Sequence, residues 1–255
     1  MQRSSIFAAV MVVATLASLA RAAVIDFETT PAAVAPTDDA FLSAPYNISG
    51  GGTVTFFFDA NGNLSYDAGI DGRPVFEAYG ADTLDGFANG VTSINDTANG
   101  GLASQLGSYF LRQLQPGGVP QPFIVDYNTA QVITALSGEI WDIDGAPGNT
   151  EGWLVEALDS SNALLASQLS PPGNSSALDG LPWVFSFSGL PSGFDKLRIT
   201  FIGSKTMGLG LAFNNFDPTT AVPEPSTLAL AAIAATGLAG RRRLLNRQRM
   251  DRTKA

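Results

Sequence analysis

The chain of 255 residues contains no cysteine and no histidine. Without cysteine, disulfides and thiol catalysis are unavailable, so the fold must depend on core packing or on bound ions. Without histidine, serine–histidine triads, histidine-ligated zinc and imidazole acid–base chemistry are excluded. Hydrolases that need only a pair of Asp or Glu carboxylates remain compatible with this composition.

Basic residues are scarce in the central part of the chain. Of the 14 Lys and Arg residues, two precede residue 23 and seven follow residue 240. Residues 23–221 therefore contain five basic and 21 acidic side chains, a net charge of −16. A surface with this charge repels nucleic acid and acidic lipid and attracts divalent cations, so nucleic acid is excluded as a partner.

Residues 1–22 have the features of a signal peptide. Arg3 precedes an apolar run over residues 6–19, and Ala20-Arg21-Ala22 fits the small-x-small pattern that signal peptidase cuts. We expect cleavage between Ala22 and Ala23. The alternative is a permanent N-terminal anchor, which the short apolar core disfavours.

Residues 222–255 combine three elements of a membrane address. Pro223 and Pro225 flank Glu224 and restrict the backbone, so this segment should be extended and accessible. Residues 227–240 are apolar and uncharged, and as a helix they would rise about 21 Å against a hydrocarbon layer of roughly 30 Å. A basic tail follows and would keep the C-terminus cytoplasmic; it begins with Arg241, Arg242 and Arg243.

The order Pro-Glu-Pro, short apolar helix and arginine cluster resembles the PEP-CTERM sorting signal of Gram-negative bacteria. In that family an exosortase, a protease of the inner membrane, recognises Pro-Glu-Pro, removes the tail and passes the protein outward, often into exopolysaccharide. The resemblance implies recognition at Pro223, Glu224 and Pro225 and transient anchoring in the inner membrane before release to the cell surface or extracellular matrix. The alternative is a single-pass anchor without processing.

The region between the two ends shows short alternating runs separated by Gly, Pro, Asn and Asp. Leu197, Ile199 and Phe201, for example, alternate with polar residues, which is the two-residue period of a strand with one face in a core. About ten such runs occur, among them residues 23–28 and 209–216, and no long amphipathic helix is evident. The pattern predicts an all-β fold for residues 23–221, an antiparallel jelly-roll-like β-sandwich with both termini outside it.

Two segments of this region, residues 138–145 and 208–216, resemble the galactose-binding-like and carbohydrate-binding jelly rolls. In such domains an acid on the first strand and another at the end of the last strand often share a structural calcium ion. The resemblance implies calcium ligands at Asp26 or Glu28 and at Asp217. Asn214 and Asn215 stand where an aspartate is common, which lowers the charge of this site.

A second candidate calcium site lies in residues 59–67. Oxygen-bearing side chains alternate here, as they do in loops that surround a hard cation, and they are Asp59, Asn61, Asn63 and Asp67. The sequence departs from an EF-hand loop at Leu64, where Gly is expected, and at Ile70, where Glu is expected. The alternative is a polar turn between two strands.

Sugar binding would require an exposed aromatic face with polar groups beside it. Trp141 stands next to Asp142, and Trp153 follows the Gly- and Asn-containing residues 148–152, so these two are the candidate stacking residues. The alternative is that both are core residues. Hydrolysis would instead need two suitably spaced carboxylates, for which the candidates are Glu77, Glu139, Asp142, Asp144, Glu151 and Glu156.

The sequence predicts an exported protein that associates with exopolysaccharide without catalysis. The alternatives are a purely structural surface protein and, with less support, a carboxylate-based glycoside hydrolase. Structural calcium is the one cofactor predicted.

Overall fold

The computed structural model describes residues 24–48, 51–80, 87, 98, 101–114, 117–129, 132–145, 148–173, 180–190, 193–209 and 212–220. The chain divides into two units, and one of them, Ala20–Ala221, contains all of these residues. The predicted signal peptide with its cleavage site at Ala22 and Ala23, the Pro-Glu-Pro segment, the apolar stretch and the arginine cluster lie outside the described residues. Within the described ranges, no helix has the length and apolar character needed to cross a membrane.

The regular secondary structure of the described residues is almost entirely β-strand. The one helix among them is α1 (Ala103–Leu106). In chain order the strands are β1 (Tyr46–Asn47), β2 (Thr53–Phe58), β3 (Val75–Ala78), β4 (Tyr109–Arg112), β5 (Gly117–Gly118), β6 (Phe123–Asn128), β7 (Ile133–Trp141), β8 (Trp153–Leu158), β9 (Leu164–Leu169), β10 (Pro182–Phe187), β11 (Lys196–Phe201), β12 (Met207–Leu209) and β13 (Ala212–Thr220).

Within the described ranges these strands form two large antiparallel sheets. The six-stranded sheet has the order β1-β2-β6-β11-β8-β9, and the five-stranded sheet has the order β10-β7-β13-β4-β3. Strands β5 and β12 pair separately. The predicted all-β antiparallel sandwich is therefore confirmed.

The core between the two sheets is built mainly from phenylalanine. Phe123 on β6 stacks on Phe213 on β13 with ring centroids 4.3 Å apart, and this contact joins the two sheets. Phe56 and Phe216 contact Phe123, Phe27 packs edge-on against both of them, and all are buried. Complete burial of one such side chain contributes about 1.5–3 kcal/mol, so a cysteine-free sandwich of this size has an adequate source of stability.

Both sheets also bury part of their outer faces. Outside the five-stranded sheet, Trp141 packs with Phe87, Leu106 and Phe110. Outside the six-stranded sheet, Leu64 and Tyr66 pack over Phe57. Loops thus fold back over the sandwich, which explains why β2, β4 and β7 each carry adjacent buried apolar residues instead of a strict alternation.

Two predicted strands differ from those observed. The segment over residues 23–28 makes only an isolated bridge, Ile25 to Phe216, because Phe27 has a φ of 59° and extended backbone cannot continue through that conformation. The segment over residues 209–216 is divided between β12 and β13. Asn215 has a φ of 52° within the bulged part of β13, where an irregular backbone is expected.

The strand registers bring five connecting segments to one end of the sandwich, called here the loop end. Phe58 at the end of β2 lies opposite Phe123 at the start of β6, and Phe201 at the end of β11 lies opposite Trp153 at the start of β8. In the other sheet, the end of β7 lies opposite the starts of β10 and β13. Among the described residues, 59–74, 119–122, 142–145 with 148–152, 170–173 with 180–181, and 202–209 therefore meet at the loop end.

Candidate functional site

The loop end contains a cluster of charged side chains beside an open cleft. Nζ of Lys205, which follows β11, lies 2.7 Å from Oδ1 of Asp144, which follows β7. The same nitrogen lies 2.6 Å from Oε1 of Glu151, which precedes β8. The cleft has a volume of about 280 Å³ and is lined by Asp144, Gly145, Asn149, Lys205, Thr206 and Met207. Asp144, Glu151 and Lys205 are called the lysine cluster below.

Backbone hydrogen bonds fix the position of the lysine cluster. The amides of Ser204 and Lys205 both donate to the carbonyl oxygen of Thr150, at 2.8 and 3.0 Å. Glu151 exchanges backbone hydrogen bonds with Gly173 on its other side. A Cβ atom on Gly203 would lie 2.1 Å from the Thr150 oxygen and 2.8 Å from Cα of Glu151, so glycine is required for this close approach.

Glu151 is the most unusual member of the lysine cluster. Its side chain is fully buried, and no backbone amide within the described residues donates to either carboxylate oxygen. Burial raises the pKa of Glu151 to about 9, and the charge of Asp144 adds to this effect while Lys205 opposes it. Glu151 is therefore protonated at neutral pH, even though it contacts a lysine.

Lys205 responds in the opposite way to the same surroundings. Burial by itself would lower the pKa of Lys205, but its hydrogen bonds and charge interactions with Asp144 and Glu151 outweigh burial and raise that pKa. The Lys205 side chain keeps 19% of its surface exposed and Asp144 keeps 26%, whereas Glu151 has none. The space between the two carboxylates is filled by Nζ, so a glycosidic bond cannot lie between them in this arrangement.

The predicted calcium loop also lies at the loop end. Asp59 is 2% exposed, and its two oxygens accept hydrogen bonds from the amides of Gly62 and Leu64 at 2.7 and 3.0 Å. The side-chain amides of Asn61 and Asn63 both donate to Oδ2 of Asp67, at 2.8 and 2.7 Å. The structure therefore brings all four predicted ligands into one compact turn.

Asp71 is a fifth member of this turn that the sequence analysis missed. Its Oδ1 accepts from the Ala60 amide at 3.0 Å and its Oδ2 accepts from the Asp67 amide at 2.7 Å. The repeat of an aspartate four residues after Asp67 was the signal that could have identified it. The carboxylates are turned towards amides of their own loop, and the described residues contain no group of three or more acidic side chains arranged to hold a metal ion.

The other predicted calcium ligands have separate roles. Oε1 of Glu28 accepts hydrogen bonds from the amides of Ser108 and Tyr109, at 2.6 and 3.1 Å, and so connects the N-terminal segment to the start of β4. Asp217 is buried on β13, and its charge adds to the effect of burial in raising the pKa of Tyr127. A calcium ion shared by Asp26 or Glu28 with Asp217 stays a prediction.

Neither tryptophan that was predicted to stack on a sugar has an accessible face. Trp141 is fully buried because the segment around α1 covers the outer face of β7. Trp153 is fully buried between Phe201 and Phe213, with ring centroids 5.4 and 5.7 Å away. The expectation that Trp141 or Trp153 forms a binding platform is therefore corrected: position next to a loop did not determine which face of the sheet each side chain occupies.

A different surface at the loop end combines exposed apolar and polar groups. This groove has a volume of about 450 Å³, and its lining includes Phe41, Tyr66, Asp71, Arg73 and Leu114. Phe41 and Leu114 are 49% and 52% exposed. It is called the Phe41 groove below.

Tyr66 and Arg73 hold the Phe41 groove in shape. Nε of Arg73 donates to the Tyr66 hydroxyl at 2.7 Å, and the guanidinium lies 5.5 Å from the centre of the Tyr66 ring. The same ring packs edge-on against Phe57 on β2. A smaller cleft of about 170 Å³ lies beside these two side chains and is bordered by Leu42, Pro45 and Phe56. The groove is thus anchored to the six-stranded sheet, not to a free loop.

Three comparisons with known proteins give a match to the C-terminus and a structural neighbour. Residues 221–243 match the PEP-CTERM protein-sorting motif. No curated protein matches the sequence. The crystal structure of a DUF4465 family protein from Bacteroides caccae is similar over 79% of this chain and 98% of that chain, with 12% identity and a TM-score of 0.41.

The matched motif includes the predicted recognition residues, Pro223 to Pro225, and the arginine cluster, Arg241 to Arg243. It supports export, transient anchoring of the C-terminus in the membrane and processing by an exosortase. The chain thus carries the sorting signal of an exported protein.

Proposed function

We propose that this protein is an exosortase-sorted component of the cell surface or extracellular matrix, and that its β-sandwich binds exopolysaccharide without catalysis. The sorting motif at residues 221–243 supports the location. The Phe41 groove is the observation that supports binding, because it places an exposed aromatic ring beside a guanidinium and a carboxylate. Sugars are commonly bound by an aromatic face that contacts C–H groups while polar side chains bond the hydroxyls.

The charge of the sandwich limits which polysaccharide fits. A domain with a net charge of −16 repels a polyanion unless cations lie between them. The exposed part of the groove is apolar at Phe41 and Leu114. We therefore expect a neutral polysaccharide, and the weak resemblance to galactose-binding-like domains is compatible with this ligand class.

Binding can be tested with the full chain and the polysaccharide secreted by the same cells. Phe41→Ala and Leu114→Ala should each weaken retention in affinity electrophoresis by about tenfold, which corresponds to roughly 1.4 kcal/mol. Leu169→Ala is the matched control, because Leu169 is 62% exposed on β9, at the opposite edge of the six-stranded sheet. Absence of saturable binding by the unmodified protein would favour the purely structural alternative. New reducing ends in the polysaccharide would favour a hydrolase.

The location is tested independently. The mass of the protein recovered from cells and from medium should show loss of residues 1–22 and of the C-terminal tail. Substitution of Glu224 and both flanking prolines by alanine should leave the tail attached and the protein in the membrane fraction. Release of this variant at the normal rate would contradict processing by an exosortase.

Calcium remains a proposal for the turn formed by Asp59, Asn61, Asn63, Asp67 and Asp71. Carboxylate and amide oxygens suit calcium, which takes six to eight oxygen ligands. An ion here would require some of the present hydrogen bonds to be exchanged, and it would also stiffen the Phe41 groove, because the turn supplies Tyr66 and Asp71. Titration of the chelator-treated full chain with calcium alone should give heat and a higher melting temperature, and both effects should be lost in Asp67→Ala. No response to calcium would remove this proposal.

A further inference from the structure

The lysine cluster has the components of a condensation reaction within the chain. A primary amine lies in hydrogen-bond contact with one carboxyl group, and a second carboxyl group, fully buried, touches the same amine. We propose that Lys205 and Asp144 join through an intramolecular amide bond, with Glu151 as the group that transfers protons between them. The bond is a covalent cross-link between the segments that follow β7 and β11.

The reacting atoms are already held together. Nζ of Lys205 lies 2.7 Å from Oδ1 of Asp144. Backbone contacts on both sides fix the three residues, through Thr150 for Lys205 and through Gly173 for Glu151. Well-oriented groups within one molecule react as if at effective concentrations of about 10⁵–10⁸ M, which offsets the poor reactivity of an unactivated carboxyl group.

Glu151 supplies the acid–base function. It is fully buried and it contacts the amine 2.6 Å away, so it can both donate a proton to the reacting carboxyl group and accept one from nitrogen. Its raised pKa, about 9, keeps it protonated before reaction at neutral pH. Because it has no hydrogen bond from a backbone amide within the described residues, nothing there favours its anionic form except Lys205.

The reaction needs no further reagent. The ammonium of Lys205 passes a proton to the Asp144 carboxylate, 2.7 Å away, which gives a neutral amine and a neutral acid. Nζ then attacks Cγ of Asp144 to form the C–N bond, while the protonated Glu151 donates its proton to the departing oxygen and takes one from nitrogen at its other oxygen. One C–O bond breaks, one water molecule leaves, and Glu151 is regenerated. One ammonium and one carboxylate are consumed, and no oxidation occurs.

Exposure distinguishes the two carboxyl groups. Asp144 borders the cleft and keeps 26% of its side chain exposed, so the water released at its Cγ can escape. Glu151 has no exposed surface from which water could leave. Asp144 is therefore the group that forms the amide, and Glu151 remains a carboxylic acid beside it.

The cross-link would connect the two sheets. Asp144 follows β7 of the five-stranded sheet, and Lys205 follows β11 of the six-stranded sheet. A bond between them closes the loop end across the sandwich. In a chain without cysteine, an amide fulfils the role of a disulfide and is insensitive to reduction.

The test uses the full chain, unfolded after purification and digested with trypsin. Cleavage after Lys205 should be absent, because trypsin does not cut after an acylated lysine, whereas cleavage after Lys196 should be complete. Tandem mass spectrometry should find the peptides containing Asp144 and Lys205 joined, with a mass reduced by one water molecule. Complete cleavage after Lys205 and unmodified peptides would overturn the proposal without the need for any variant.

Variants then separate the roles of the three residues. Lys205→Arg keeps the positive charge and should be unlinked, so its mass, corrected for the substitution, should exceed that of the unmodified protein by one water molecule. Asp144→Ala should also be unlinked. Glu151→Gln should slow the appearance of the link by at least a hundredfold in freshly purified protein. A normal rate in Glu151→Gln would overturn the role of Glu151, and a link from Lys205 to Glu151 would overturn that of Asp144.

Discussion

Two cations in this sandwich, the buried Arg112 and the partly buried Lys205, have very different surroundings. Arg112, at the end of β4, is 5% exposed; its Nε lies 2.5 Å from Oε2 of Glu77, and Nη2 pairs with Asp39. Its Nη1 donates to the backbone oxygens of Gln113 and Leu114 as well. Lys205 also contacts two acids, Asp144 and Glu151. In contrast to the Arg112 site, no backbone hydrogen bond within the described residues reaches the carboxyl group of Glu151.

This difference separates a cluster that holds the fold from one that can react. The planar guanidinium of Arg112 directs its donors at fixed acceptors and cannot lose a proton, so the cluster is saturated and inert. An ammonium can become an amine, and Glu151 retains a proton at neutral pH. The Arg112 site and the lysine cluster have similar compositions. They differ because the guanidinium donates to several fixed acceptors, whereas the Glu151 carboxyl group receives no hydrogen bond from a backbone amide within the described residues.

The largest effect is expected from breaking the ion pairs that Arg112 forms with Glu77 and Asp39. Arg112→Met leaves Glu77, which is 3% exposed, without its guanidinium partner, and should lower the free energy of unfolding by about 3–5 kcal/mol. Lys196→Met is the control, because Lys196 contacts Asn162 at an exposed site, and its effect should stay within about 0.5 kcal/mol. Urea unfolding measures both, and equal effects would contradict the structural role of Arg112.

A smaller effect is expected from disturbing the backbone beside Glu151. Gly203→Ala places Cβ against the Thr150 oxygen and Glu151, so the segment must shift, at a cost of about 1–3 kcal/mol. The same shift should slow formation of the amide. Gly118→Ala is the control, since its Cβ would meet no atom within 4 Å. If both substitutions change the melting temperature equally, the close approach at Gly203 is not a constraint.

The pH dependence should reveal the proton on Glu151 in a chain that cannot form the link. The folded-state pKa of about 9 lies above the ordinary value of 4.5, so the folded protein binds more protons than the unfolded chain between these values. Stability contributed by this group is therefore lost as pH rises, by at most about 1.4 kcal/mol per pH unit. Comparison of Lys205→Arg with Lys205→Arg/Glu151→Gln between pH 6 and pH 8 should show this slope only in the former. Parallel pH profiles would show that Glu151 is ionised in the folded state.

The smallest effect is expected from removing a buried hydroxyl that lacks a partner. The Tyr127 hydroxyl is buried and makes no hydrogen bond within the described residues, so Tyr127→Phe should change stability by less than about 1 kcal/mol at neutral pH. Burial raises the Tyr127 pKa, so the unmodified protein should lose stability relative to the variant above pH 10. Tyr66→Phe, which removes an acceptor from Arg73, should cost more at neutral pH. The reverse order would contradict these assignments.

Local patterns in the sequence predicted the strands but not the neighbours of the strands. Leu197 and Ile199 alternate with polar residues and are buried as expected, because period-two alternation is a property of one strand. The lysine cluster could not be predicted in this way. Lys205 meets Asp144 and Glu151 because β11 pairs with β8 and because β7, in the other sheet, ends at the same end of the sandwich. No short segment of sequence encodes the order of strands in a sheet.

The prediction that Trp141 and Trp153 bind a sugar was wrong for a related reason. Trp141 and Trp153 lie next to loops, but loops that fold back over the sandwich and a core packed with aromatic rings bury both side chains. The four oxygen-bearing residues of the turn were predicted correctly as neighbours, since they lie within nine positions of one another. Phe41 and Leu114 could not be recognised as an exposed pair, because they approach each other only through the pairing of β3 with β4 and with the Phe41 segment.

The position of β13 determines how the sandwich withstands traction. This last strand lies between β7 and β4, and it ends at Thr220, immediately before the sorting motif. A pull on the C-terminus along the axis of β13, from a membrane tether or from the protease that removes the tail, would be opposed by bonds to both neighbouring strands that run across the direction of force. Those bonds share the load instead of opening one after another, so the sandwich should resist mechanical unravelling while its tail is held.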